Sequence, residues 1–565
     1  MKQLEILQEK YSVVKTIDLD HWHTLDYESA QAWLESEFDA VRRNSYASNE
    51  RIVFVQQQGD VYVHGESVGL ILRNLQIIAN EKDISNFFIV LASANPGLAQ
   101  ELEFINRISQ DPVPITGVQL DTANWQATTI EHHPVSRKEF YQYGSANPLK
   151  MDINQLSARE EFLLVDSQRF CIYPWVHLHA WPTGQAFPCC MSEPAGELGN
   201  CHKDSLEQIW NNKPARQLRV NMLTEQASAA CTRCYEQEEA GFFSGRKSAN
   251  KHHGHLINRI QETQANGHLD RFQLNYWDIR FSNLCNLSCR SCGHIFSSSW
   301  YQDQARLAGP KWAGQNRALN YAGRTSTDMW EQLLPHLDYV EQIYFAGGEP
   351  LMMAEHYNIL DELERRGRFD VRLIYNTNFT HIKLKDREVF DYWRKFDSVS
   401  VGASLDAQGP RAEYIRKGTV WDTVERNREQ MLRVCPDVDF YISPTLSIMN
   451  ALHLPDFHKD WVAKGLIRAQ DLNVNILQDP PFYRVDTAPI KYKQRIRVAY
   501  EEHLEWLRPQ DRLQRATQGF ESAINFMMST DNTQLLPQFW TRTHELDDIR
   551  GENILNIIPE LEALK

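Results

Sequence analysis

No run of apolar residues in this chain approaches the roughly 20 residues that cross a bilayer, so a membrane-spanning protein is not expected. The opening residues, Met1-Lys2-Gln3-Leu4-Glu5, lack the apolar core of a secretory signal, and a cytoplasmic location is the resulting expectation. Positive charge is also short. With 59 Lys and Arg against 74 Asp and Glu, the formal charge of -15 argues against the broad phosphate-gripping surface that nucleic-acid binding demands. No internal repeat is visible. Hydrophobic residues at 42% and charged residues at 24% are ordinary for folded proteins, which leaves no room for extensive disorder. At 565 residues the chain is too long for a single core, and three or four structural units are expected.

Cysteine is absent from residues 1 to 150 and from 483 onward; all ten lie between Cys171 and Cys435. Their clustering at metal-ligand spacings, without an export signal, favours metal-bound thiolates in a reducing compartment over disulfides. Residues 1–150 read as a small mixed α/β domain, with strands at Arg51-Ile-Val-Phe-Val and Phe87-Phe-Ile-Val-Leu and a helix near residues 69–78 between them. Residues 165–248 hold six cysteines and many turn formers, as expected where metal replaces a core. The polar stretch from Lys247 to Asp270 reads as a connecting helix or linker, with His252, His253 and His255 solvated.

Across 274–482 the pattern is alternating strand and helix, the signature of a parallel sheet with helical crossovers. Candidate strands are Trp277–Phe281, Val340–Phe345, Val371–Tyr375, Ser398–Gly402, Phe440–Pro444 and Leu472–Leu477. Candidate helices are Glu355–Arg366, Asp386–Lys395, Trp421–Val434 and Asp456–Lys464. Residues 483–565 read as a mostly helical extension, either a cap or an interaction surface.

The chemistry is concentrated just after these strands, where parallel α/β folds assemble their sites. Cys285, Cys289 and Cys292 form a CxxxCxxC array after the first strand, and Gly347-Gly348-Glu349-Pro350 follows the second. Three thiolates on one loop suit three irons of a four-iron cluster and leave the fourth open to a ligand that is not protein. A zinc site would want a fourth protein ligand, for which His294 stands at hand; the glycine motif weighs against that alternative.

Cys285, Cys289, Cys292 and Gly347–Pro350 together resemble the radical S-adenosylmethionine superfamily. That resemblance implies a partial (β/α)6 barrel, a 4Fe-4S cluster that chelates S-adenosylmethionine, and reductive cleavage to a 5'-deoxyadenosyl radical that abstracts hydrogen from substrate. It further implies cofactor contacts from Gly347, Gly348, Glu349 and Pro350 and from Asn376, Asn378, Ser404 and Asp406. Arg416 is similar to the arginine that pairs with the cofactor carboxylate, and backbone near Ser447–Asn450 would meet adenine. Where many relatives carry an aromatic residue before the third cysteine, this chain has Ser291.

The upstream set, Cys171, Gly184, Cys189 and Cys231-Thr-Arg-Cys234, resembles the auxiliary-cluster modules called SPASM and twitch. The resemblance implies a second 4Fe-4S cluster on Cys171, Cys189, Cys231 and Cys234. Cys190 could stand in for Cys189, a structural zinc is the alternative metal, and Cys201 is surplus. His177 and His179 are read as packing or hydrogen-bonding residues and Cys435 as core. Such modules usually follow the barrel, whereas this one precedes it.

The function expected is oxidative modification or crosslinking of a peptide, with a sugar, nucleoside or other small metabolite as the alternative substrate. Reduced flavodoxin or ferredoxin is the implied electron donor. A non-catalytic metal scaffold or electron carrier is the reading from another class.

Overall fold

The computed structural model describes residues 156–239, 244–511 and 514–565, together with the backbone of five strands nearer the N-terminus. The chain divides into two units, residues 1–172 with 243–258, and residues 173–242 with 259–565.

In the first unit, β1 (Lys15–Asp18), β2 (Arg51–Gln56), β3 (Phe87–Ser93), β4 (Ile115–Asp121) and β5 (Gln126–Ile130) form one sheet in chain order. The first four strands run parallel and β5 returns antiparallel. The helix expected near residues 69–78 lies outside the described residues. The stretch read as a connecting helix or linker is helical, Gly245–His253 continued by a 3-10 segment, Gly254–Glu262. Its inner face carries Arg246, which donates to the carbonyls of Ser167 and Phe170, and Asn250, which bonds both Phe170 and Ile172. His253 lies on that face and is buried, not solvated as the local polarity suggests.

The second unit is built on an eight-stranded sheet, with β13 (Lys383–Leu384) and β14 (Arg387–Glu388) forming a separate short antiparallel pair. Five strands form its parallel core: β9 (Tyr276–Ile279), β11 (Gln342–Phe345), β12 (Arg372–Thr377), β15 (Val399–Ala403) and β17 (Asp439–Ile442). Each of these pairs parallel with the next. Consecutive strands with helices between them make the partial (β/α)6 barrel. The helix Trp421–Val434 spans its predicted bounds and Ala354–Arg365 starts and stops one residue early; Cys435 is buried just past the former.

The sixth strand is split. Its ladder runs from Asn473 N to Ile442 O, Asn475 N to Pro444 O and Leu477 N to Leu446 O. Pro444 has no N–H to return, so only a bridge at Leu472 and the short pair β18 (Thr445–Leu446) with β19 (Asn475–Ile476) remain regular.

On the other side the barrel does not end at β9. The auxiliary module adds β6 (His177–Ala180), parallel to β9, and then β7 (Gln185–Phe187) and β8 (Gly199–Asn200), both antiparallel. Gly184, in the β6–β7 turn, has φ +85, and a side chain there would meet Asn200 and the His202 ring. Behind this sheet the buried Arg219 guanidinium lies 4.7 Å from the Trp210 ring. With no carboxylate partner among the described residues, it donates to the carbonyls of Pro174, Gly267 and Trp210. Burial lowers its pKa to about 9.

Several histidines are sealed inside the second unit. His356 meets the Tyr375 hydroxyl at 3.0 Å, His458 and His503 face each other at 3.0 Å, and His177 stacks on Tyr276. Burial lowers His177 and His458 to about 4, and His356 and His503 to about 3, from an ordinary 6.5. Protons therefore bind the unfolded chain first as pH falls below about 6.5, and stability present at neutral pH is lost toward pH 4. The urea midpoint should drop between pH 7 and pH 5, at roughly 1 kcal/mol per pH unit for each ring kept neutral. An unchanged midpoint would show that these rings accept protons in place.

Candidate functional site

The cysteine loop leaves β9 and is tied at both ends by one buried side chain. Asn283 donates from its amide to the carbonyls of His294 and Ala318 and accepts from Asn320 N. The first thiol residue is held by hydroxyls: Ser298 accepts from Cys285 N, and Ser299 donates to Cys285 O at 2.7 Å. Trp300 donates its indole N–H to Cys289 O at 2.7 Å. A two-residue strand, β10 (Ser288–Cys289), pairs antiparallel with β16 (Arg416–Lys417), which sets Cys289 opposite Arg416.

The Gly347–Pro350 turn presses on this loop from β11. Gly347 has φ +122, a conformation that favours glycine. A Cβ on Gly348 would lie 2.1 Å from Leu284 O and 2.7 Å from Asn283 C. The close approach that Gly348 permits is thus to the backbone of the cysteine loop, where the sequence suggested a ligand. Gly348 N bonds Ser282 O at 3.2 Å and Glu349 N bonds Leu284 O at 2.6 Å. Pro350 opens the short 3-10 helix Pro350–Met352, where its missing N–H costs nothing, and Glu349 caps it.

Glu349 is buried and accepts from Leu351 N, from the Thr377 hydroxyl at 2.7 Å and from Asn378 N at 2.7 Å. Burial pushes its carboxyl up to about 7 even against these bonds, which pull it down. Three of its roughly four acceptor positions are filled, and the remaining one lies on Oε2.

Asn378 directs its amide nitrogen to Asn286 Oδ1 at 2.9 Å and to Cys285 Sγ at 3.9 Å. Asn376 donates to the Tyr344 hydroxyl at 2.5 Å, and Ser404 N bonds Thr377 O. Asp406 and Arg416 meet each other: Nε and one terminal nitrogen of the guanidinium contact the two carboxylate oxygens at 2.8 and 2.9 Å. The other terminal nitrogen lies 3.7 Å from Cys289 Sγ. Asp406 also accepts from Thr445 N, while Asn450 donates to Asp406 O. Burial works against the Arg416 charge, but Asp406 and the nearby thiols raise its pKa above the ordinary value.

The three thiols lie within electrostatic reach of one another. Burial first, then carboxylate and thiol neighbours, push Cys285 up to about 12 and raise Cys289 and Cys292 as well, while Arg416 pulls the last two down. Such buried thiols become thiolates when a cation compensates them, as iron does. Among the described residues no three or more His, Cys, Asp or Glu side chains converge on a single-ion position. A cluster does not ask them to, because each thiolate takes a different iron of the cube. His294, the alternative zinc ligand, packs its ring edge-on against Trp312 at 4.8 Å.

In the auxiliary module, Glu193 N bonds Ala230 O and joins the turn after Cys189 to the turn at Cys231. Cys190 is exposed as a residue, yet burial of its thiol and the Asp278 carboxylate push it up to about 11, and Cys234 lies within electrostatic reach. Cys201 is fully buried, which pushes it up to about 12. Cys171 is also buried.

Where β6 meets β9, His179 Nδ1 lies 2.9 Å from an Asp278 oxygen and Arg280 Nε 2.9 Å from the other. Burial pushes Asp278 up, but Arg280 and His179 prevail and hold it well below the ordinary carboxylate range. Nothing in residue spacing pointed to Asp278, Arg280, Asn283 or Trp300. Asn283, next to the cysteine array, carried the nearest available signal.

Residues 171–235 match the family model for SPASM, an iron-sulfur cluster-binding domain. No curated protein matches the chain. Among solved structures, one similar chain is native anSMEcpe with bound AdoMet and Kp18Cys peptide, at 20% identity and TM-score 0.29, over 40% of this chain and 59% of that one. Another is native anSMEcpe with bound AdoMet and Cp18Cys peptide, at 18% identity and TM-score 0.27, over 40% and 58%. The chain thus spans less than two thirds of the solved proteins it matches.

Gly348→Ala should dislodge the cysteine loop, since both atoms it would strike are backbone. Iron after anaerobic reconstitution should fall from about eight to about four per chain. Gly314→Ala, which meets only open space and needs no left-handed backbone, should keep the full count. Full iron in Gly348→Ala would show that the turn and the loop are not rigidly joined.

Proposed function

We propose that this chain is a radical S-adenosylmethionine enzyme that holds two 4Fe-4S clusters and modifies a peptide by oxidation or crosslinking. In this reading it cleaves S-adenosylmethionine reductively and uses the 5'-deoxyadenosyl radical to abstract hydrogen from substrate. One observation carries the reading: the Cys285–Cys292 loop, the Gly347–Pro350 turn and the Asp406–Arg416 pair meet at the ends of successive parallel strands. The matched SPASM segment adds a second cluster-binding unit to the same chain.

Cys285, Cys289 and Cys292 would hold the first cluster, which when bound supplies one electron at an iron left open for the cofactor. Cys171, Cys189, Cys231 and Cys234 would hold the second. The open acceptor on Glu349 suits a cationic amino group, and that cation would in turn keep the buried carboxylate ionised. Arg416 suits a carboxylate, its plane already fixed by Asp406, which therefore acts through the guanidinium. Gly347, Gly348, Pro350, Asn376, Asn378 and Ser404 shape the same end of the barrel. The four-part division at 1–150, 165–248, 274–482 and 483–565, a reduced flavodoxin or ferredoxin as donor, and a cytoplasmic location belong to this proposal.

The test is anaerobic reconstitution followed by chemical reduction with S-adenosylmethionine. The wild-type chain should form 5'-deoxyadenosine. The triple variant Cys285→Ala, Cys289→Ala, Cys292→Ala should keep about four irons and form none. Arg416→Lys should raise the KM for S-adenosylmethionine roughly tenfold, because a lysine cannot keep the planar two-point contact with Asp406 and still hold a further N–H toward the cofactor. A protein that holds only zinc and forms no deoxyadenosine overturns the proposal.

A further inference from the structure

The residue directly after the second thiol of the loop points to a role for the C-terminal extension. Arg290 is buried, with its side chain 1% exposed, and its guanidinium carbon stands 3.8 Å from the Tyr414 ring centroid. Its Nε donates to Tyr414 O. One terminal nitrogen reaches Asp547 at 2.5 Å and Glu552 at 2.6 Å. Asp547 belongs to the helix Leu536–Arg550, and Glu552 comes just after its capping Gly551. Asp547 is itself pinned, accepting from the Tyr414 hydroxyl at 2.8 Å and from Ile554 N at 2.8 Å. Glu552 also takes Lys417, the neighbour of Arg416 on β16.

The same helix ends on the loop a second time. Arg550 donates to Ser288 O at 2.7 Å, pairs with Asp303 at 2.8 Å and lies 5.0 Å from the Trp300 ring. Trp300 in turn donates to Cys289 O. Two carboxylates and one arginine from a segment more than 250 residues downstream therefore grip the backbone and side chain on either side of Cys289.

We infer that residues 536–565 form a clamp that positions the cluster loop and neutralises Arg290, keeping the cluster's reduction potential low. Asp547 and Glu552 are positioning residues: they touch Arg290, not the reacting atoms. The inference rests on the assignment of Cys285, Cys289 and Cys292 as cluster ligands. Its physical basis is local charge. Arg290, Lys417 and Arg550 are matched by Asp547, Glu552 and Asp303, so removal of one carboxylate leaves a net positive charge beside the loop. A positive charge stabilises the more negative, reduced cluster and so raises its potential. A higher potential weakens the cluster as a one-electron donor.

The experiment uses the full-length, anaerobically reconstituted chain and follows the cluster's midpoint potential by electron paramagnetic resonance alongside iron content and deoxyadenosine formation. Asp547→Asn should keep its irons, shift the potential positive and slow deoxyadenosine formation several-fold, with the KM for S-adenosylmethionine changed less than twofold. Asp547→Glu should restore the potential toward wild type. Glu552→Gln, less buried and shared with Lys417, should give a smaller shift in the same direction and serves as the readout if Asp547→Asn does not fold. A potential unmoved in folded, iron-replete Asp547→Asn or Glu552→Gln overturns the clamp, even if thermal stability falls. A wild-type chain that shows the cluster signal but forms no deoxyadenosine would sink the proposed activity while leaving the potential shift measurable. A wild-type chain with no cluster on this loop overturns both.

Discussion

The cysteine loop and the Gly347–Pro350 turn are held backbone against backbone, and the geometry of the site follows from that contact. Gly348 has no room for a methyl group beside Leu284 O, and Glu349 N closes the contact at 2.6 Å. A joint of this kind rests on no side-chain rotamer, so once the glycine backbone has been ordered, itself an entropic cost, the position is fixed. Glu349 then extends it sideways: the residue whose N–H meets the loop sends its carboxylate to Thr377 and Asn378 on the next strand. Asn378 returns to the loop through Asn286. Loop, turn and strand end form a closed circuit in which no member can shift alone.

Charge completes what the backbone begins. Arg416 approaches the thiols from one side, its plane set by Asp406, and Arg290 leaves them on another, its charge met by Asp547 and Glu552. Buried ion pairs of this kind seldom add net stability, because desolvation offsets their attraction; what they do is restrict the arrangements available. The loop sits between two guanidiniums that are each already engaged. Neither is free to collapse onto a thiol, and Arg416 remains near enough to pull Cys289 and Cys292 down.

Much of this was legible in the sequence, and the boundary is physical. Strands announced themselves through β-branched runs, and Trp421–Val434 through its 3.6-residue spacing, because each reflects burial on one face. The sixth strand was legible as a run, but its division depended on Pro444, which lies on its neighbour. A polar residue at a strand end looks the same whether it will touch a ligand or brace another side chain. Asp406 braces Arg416, a contact that only the fold shows. Arg290 carries no signal of its role in the sequence, since its partners lie more than 250 residues away. His253 read as solvated because its local surroundings are polar, while helical geometry turned it inward.

The position of the auxiliary module ahead of the barrel is also resolved by pairing, not by order. Parallel strands need only a long crossover between them, and the connection from β6 to β9 supplies about a hundred residues of it. The module therefore joins the barrel at the strand that carries the cysteine loop. His179 on β6 meets Asp278 on β9, and Asp278 holds Arg280. The base of the Arg280 side chain stands 3.3 Å from where a Cβ on Gly347 would be. A displacement of β6 would thus reach the glycine turn through one buried carboxylate and one arginine, the same turn on which the cysteine loop rests. The two cysteine sets of this chain are mechanically adjacent although a hundred residues of other structure separate their strands in sequence.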